Sequence, residues 1–188
     1  MWRAARVVWV VGCIVASGVG PGLASGCAYR WAGSADATPL GRVAVRMPEN
    51  LSGEPGLERL VAEALRRAVL RRAGAELVEE TATADWVVGG RVLPLRVAPA
   101  SLSPVVLTLE YEVTLSLDLR ARRGDGREVV GDARALRETE RFLSSADVEA
   151  QRKNRDEALR RVCRLLATRF LDGLDEDAAS AGSGEDGA

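Results

Sequence analysis

Cys27 closes the run Leu23-Ala24-Ser25-Gly26-Cys27, and its thiol is the group in this chain best placed to do chemistry. A cysteine directly after small residues at a leader's cleavage site is the acceptor for an acyl or diacylglycerol lipid. The preceding segment has the parts of such a leader. Residues 1–6 carry Arg3 and Arg6 and no acid, residues 7–19 are apolar, and Gly20-Pro21-Gly22 breaks the run. Thirteen helical residues span about 20 Å, short of the ~30 Å bilayer core. Residues 1–26 therefore read as an export signal and Cys27 as the lipidated first residue, with Ala24 where a larger aliphatic side chain is more usual. A plain signal peptide with an incidental cysteine, or an uncleaved anchor, are the alternatives. The distance of Gly26-Cys27 from the apolar run favours the lipid. At roughly 0.8 kcal/mol per buried CH₂, several acyl chains would hold the protein on a membrane surface.

The remaining chemistry is sparse. The chain has no histidine, which removes the commonest general base, the usual triads and most zinc sites. Lys153 is its one lysine, and no paired-carboxylate motif stands out. Cys163 is the only thiol left once Cys13 departs with the leader and Cys27 is acylated, so no internal disulfide can form. Its neighbours Leu159, Val162, Leu166 and Phe170 share one helical face, where a core cysteine is expected. No enzyme, metal site or cofactor is expected apart from the lipid on Cys27, and no nucleic-acid partner.

The elements that carry these residues follow from periodicity. Residues 27–38 are rich in Ala, Gly and Ser and read as a tether; residues 39–172 form the domain. Residues 173–188, acidic and filled with Ala, Ser and Gly, read as a disordered tail. Without the leader and the acids from Asp172 onward the basic residues outnumber the acids by 24 to 21, which the whole-chain net charge of −1 conceals. Residues 41–47 alternate as a strand, and Leu57, Leu60, Val61, Ala64, Leu65 and Ala68 recur at helical spacing. A short strand is expected at 76–79 and another around Trp86-Val87-Val88-Gly89-Gly90-Arg91-Val92, bent at its glycines. Pro94, Pro99 and Pro104 mark irregular chain. From Val105 to Leu119 the alternation is strict, and Gly124-Asp125-Gly126 supplies a hairpin turn to a less regular return strand, 128–142. A long helix follows from 148 to 171. The expected fold is α+β, a small mixed sheet of about four strands in the order β-α-β-β-β-α. Two amphipathic helices pack on one face, and the other face stays polar.

Taken together, the segments resemble the LPS-assembly lipoprotein family LptE. Cys27-Ala28-Tyr29-Arg30 looks like that family's start, with Ala28 where glycine is usual. Val43-Ala44-Val45, Asn50-Leu51-Ser52 and Pro55-Gly56-Leu57-Glu58 resemble its first strand, Asn-x-Ser turn and helix. Ala84-Asp85-Trp86 through Val92 resembles its Ala-Asp strand, and Tyr111-Glu112-Val113 and Glu157-Ala158-Leu159-Arg160-Arg161 its later strand and final helix. The acidic tail departs from the pattern.

The resemblance implies a non-catalytic, outer-membrane, lipid-anchored plug on the periplasmic side. It would sit inside an LptD-type β-barrel, help it assemble, and take part in inserting lipopolysaccharide into the outer leaflet. Lipopolysaccharide phosphates need cations, and arginine offers them a fork of donors. Arg91 and Arg96 near the bent strand, with Arg122, Arg123 and Arg127 at the hairpin, are then the candidate lipopolysaccharide or barrel contacts. The hairpin trio is the favoured cluster. Other readings stay open: an envelope lipoprotein that activates a peptidoglycan synthase or serves a transporter, a carboxylate-dependent hydrolase, or a structural lipoprotein.

Overall fold

The strict alternation of the longest strand organises the molecule. The structure, a computed structural model, describes residues 40–102, 108–132 and 134–182, all within one compact unit, Ala35–Ala188. In chain order the elements are β1 (Gly41–Val45), β2 (Glu49–Asn50), α1 (Leu57–Leu70), β3 (Ala75–Val78), β4 (Trp86–Val92), β5 (Arg96–Leu102), β6 (Thr108–Arg123), β7 (Glu128–Val130), β8 (Arg137–Leu143) and α2 (Val148–Gly182). The class is α+β as expected, though the sheet has eight segments. These segments lie in five lanes. β1 and β2 both run parallel to β4, with β3 parallel to β1 on the outside. β4 and then β5 run antiparallel along one edge of β6, and β7 and then β8 along the other.

Both helices cover the same sheet face. On β6 that face carries Val113, Leu115, Leu117, Leu119 and Ala121, all buried. α1 adds Val61, Leu65 and Ala68; α2 adds Leu159, Val162, Leu166 and Phe170. These are the residues whose 3.6- and 2-residue periods defined the elements. At the far end of β6 the helical cover stops, and Leu109 is 50% exposed.

The Asn-x-Ser turn before α1 has a clear physical role. Asn50 Nδ2 donates to the Glu54 carbonyl at 2.8 Å and to Glu58 Oε2 at 2.6 Å. Asn50 Oδ1 accepts from the Ser52 amide at 3.0 Å, and Ser52 Oγ accepts from the Glu54 amide at 3.1 Å. Gly56, at φ 86°, then starts α1 without a side-chain cap. Arg155 of α2 closes on Glu54 with two donors, at 2.8 and 2.5 Å, tying the second helix to the start of the first.

Three expectations need correction. The proline-marked stretch is not irregular throughout, because Arg96–Leu102 forms β5. β5 pairs only with β6, and the register shifts on either side of Ser101, next to Pro99. An edge position and a bulge are the two places where a strand tolerates a residue without an N–H. The return strand is broken in two. Between the pairs Arg120↔Val130 and Ser116↔Arg137, three residues of β6 face six of the return chain. The surplus turns Leu136 into the core, where it is buried against the position of Gly131. The tail does not begin at residue 173: α2 runs on to Gly182. Leu174 and Ala178 continue the buried stripe of Phe170. Arg72, just past the end of α1, bonds Asp172 and, at 2.7 Å, Asp175. The acids that look like a solvated tail are counter-charges for the domain. Residues 183–188, Cys27 and the tether at 27–38 lie outside the described residues.

Candidate functional site: the helix-free sheet face

Alternation gives each strand one side chain for the helices and the next for the opposite face. Among the described residues that opposite face carries eight arginines, and their partners divide them into two sets. Four are neutralised. Arg42 donates to Asp85 from its backbone amide at 2.8 Å and from Nη2 at 3.2 Å. Arg91 Nε donates to Asp118 Oδ2 at 3.1 Å. Arg120 lies 3.7 Å from Asp118 and 3.4 Å from Glu128, and Arg141 lies 3.7 Å from Glu112. The hydrogen bonds from Arg42 and Arg91 hold the carboxyls of Asp85 and Asp118 below the ordinary aspartate range. Both pairs are thus ionised at neutral pH and lock neighbouring lanes together. Gly41 serves the first pair, since a side chain there would collide with Asp85 Oδ2 at 2.6 Å.

The other four, Arg46, Arg96, Arg122 and Arg137, are exposed and have no carboxylate within 4 Å among the described residues. Arg46 stands beside Gly89, its Cβ at 3.5 Å from where a glycine side chain would begin. Arg122 is paired in register with Val87. Arg96 and Arg137 flank β6 opposite Thr114 and Ser116. Between them Thr114 and Thr139 share a 2.9 Å hydrogen bond. The face therefore presents guanidinium forks whose donors are free for phosphate or carboxylate oxygens, standing on lanes fixed by ion pairs.

Of the candidates named from sequence, Arg91, Arg96 and Arg122 come together on this face. Arg123 and Arg127 do not. Arg123 follows Arg122 on the same strand and so points to the helix side. There its guanidinium lies 5.8 Å from the ring centre of buried Trp86 and its Nε 3.5 Å from Asp125. Arg127 donates to the Asp177 carbonyl of α2 at 3.2 Å. The hairpin trio is thus divided, with Arg122 on the open face and Arg127 against α2. Arg46 and Arg137, the other two unpaired arginines of this face, are not among the sequence candidates, because strand parity assigns them only once the register is known.

The buried Cys163 thiol is pushed up to about 12 by desolvation, which keeps it neutral and unreactive. Among the described residues no group of His, Cys, Asp and Glu is arranged to hold a metal ion. No described helix is long and apolar enough to cross a membrane.

Comparison with known proteins places the fold. No curated protein sequence matches the chain. The crystal structure of rare lipoprotein B from Shewanella oneidensis is similar at a TM-score of 0.50 and 14% identity, over 76% of this chain and 99% of that one. A solution structure of a lipoprotein B from Nitrosomonas europaea scores 0.47 at 15% identity, over 81% of this chain and 91% of that one. The sequence pattern of the LptE family, described as lipopolysaccharide-assembly, matches residues 40–174, which is nearly the whole folded unit. The chain belongs to the LptE family of lipopolysaccharide-assembly proteins.

Proposed function

We propose that the mature chain, acylated on Cys27, is held at the outer membrane and sits within an LptD-type β-barrel. Its helix-free sheet face there meets the polar barrel wall and the phosphates of passing lipopolysaccharide. One observation carries this reading: both described helices lie on one side of the sheet, and the other side carries four exposed arginines with no carboxylate within 4 Å among the described residues. Such a face is unsuited to burial against an apolar partner and well suited to a wet, anionic one. No residue of this face is asked to do chemistry. The arginines recognise, and the paired lanes beneath keep them in register.

The lipopolysaccharide half of the proposal has a direct check. Converting Arg96, Arg122 and Arg137 together to Ala should weaken equilibrium binding of purified lipopolysaccharide by about tenfold or more, since each charged hydrogen bond contributes roughly 1.5 kcal/mol before solvent screening. Arg123→Ala with Arg127→Ala should leave binding near wild type and reduce thermal stability. The opposite pattern would return the site to the hairpin.

A further inference from the structure

The helix layer carries its own basic feature, on the side away from the sheet. α1 and α2 run parallel, as their end contacts require: Glu54 meets Arg155 at one end, and Arg72 meets Asp172 and Asp175 at the other. Between these closures the helices leave a groove of about 230 Å³, lined by Leu60, Glu63, Ala64, Arg67, Arg160, Cys163 and Arg164. Charges at both ends are matched within the fold. In the middle they are not. Arg67 pairs with Glu63 one turn earlier, but Arg160 and Arg164 have no carboxylate within 4 Å among the described residues. They are four residues apart on α2, a spacing that brings side chains together and makes like charges repel. The floor beneath is apolar, with Ala64 and the neutral thiol of Cys163 buried.

We propose that this groove is a binding site for a phosphate group, held by Arg160 and Arg164 from α2 and Arg67 from α1. Three guanidiniums and one carboxylate leave a local charge of +2, and a phosphate monoester carries about −1.5 to −2 at neutral pH. A tetrahedral oxyanion can accept from forks on two sides at once, as two facing helices demand. It would relieve the repulsion between Arg160 and Arg164, and Glu63 would yield Arg67 to it. The site is separate from the sheet face and stands whether or not that face meets a barrel.

The experiment uses the full mature chain in neutral detergent, with ¹⁵N-labelled arginine side chains observed by NMR. Inorganic phosphate is titrated against chloride at equal ionic strength, and in a second arm phosphatidic acid is compared with phosphatidylcholine in mixed micelles. Saturable shifts of the Arg160 and Arg164 Nε–H signals, larger than that of exposed Arg134, are expected in at least one arm. A response to inorganic phosphate identifies a small free anion as sufficient; a response to phosphatidic acid alone identifies a lipid headgroup. Arg160→Ala with Arg164→Ala should weaken the responding interaction about tenfold or more, while Arg152→Ala, an exposed arginine of α2 outside the groove, should not. Shifts no larger than that of Arg134 in both arms overturn the site, and because the first readout is on the wild-type chain, a poorly folded variant cannot obscure that result.

Discussion

A Gly90→Ala chain should lose about 3–5 kcal/mol of folding stability, a large share of what a domain of this size has. Gly90 has φ 148°, a conformation that side chains rarely adopt. A Cβ there would stand 2.1 Å from the carbonyl oxygen of Asp118 and 2.9 Å from the Cα of Leu119. Both are backbone atoms of β6, the strand with which four others pair, so no rotamer change can relieve the collision. β4 must move off β6, and Val88, Val92 and Leu117 move with it. The neighbouring glycine is the control. A Cβ at Gly89 would make ordinary contact with Arg46 at 3.5 Å, so Gly89→Ala should change stability by no more than about 1 kcal/mol. Chemical denaturation of the two variants separates them, and equal effects would refute the close-approach account of β4.

The second large effect lies where the composition is least promising. Leu174→Ala should cost about 2–5 kcal/mol, as for other fully buried leucines, and a chain ending at Asp172 should cost more. Truncation removes Leu174 and Ala178 from the core, and Asp175 from Arg72. Were residues 173–182 a solvated tail, both changes would leave the denaturation midpoint where it stands in the wild type.

That contrast shows what the sequence could and could not convey. β6 and α1 were legible because a single period runs through each unbroken, and it buries one face of α1 throughout and of β6 from Val113 to Ala121. The Asn50 turn and the Asp85 strand were visible as short motifs, but their work, tying α1 to its loop and Arg42 to its neighbour lane, depends on partners as far as 43 residues away. β5 was hidden by prolines that an edge strand can accommodate. The end of α2 was hidden by acids whose partners, Arg72 just past α1 and Arg127 in the turn before β7, lie elsewhere in the chain. The return strand gave no single period because Leu136 leaves the ladder to fill the core.

The site divided along the same line. A polar sheet face could be read from the alternation of β6 alone. Which arginines share it could not, because adjacent residues such as Arg122 and Arg123 part to opposite faces, and the lanes of Arg46, Arg96 and Arg137 acquire their parity only through pairing.

The helix-free sheet face is proposed to be the surface that enters an LptD-type barrel, and recovery of that barrel with the tagged lipoprotein from its own outer membrane is the most direct measurement. The wild-type chain should bring the barrel down, and Arg46→Glu with Arg122→Glu and Arg137→Glu should reduce recovery about tenfold or more while the isolated domain stays folded. A wild-type chain that recovers no barrel, or a triple variant that recovers as much as wild type, would contradict it.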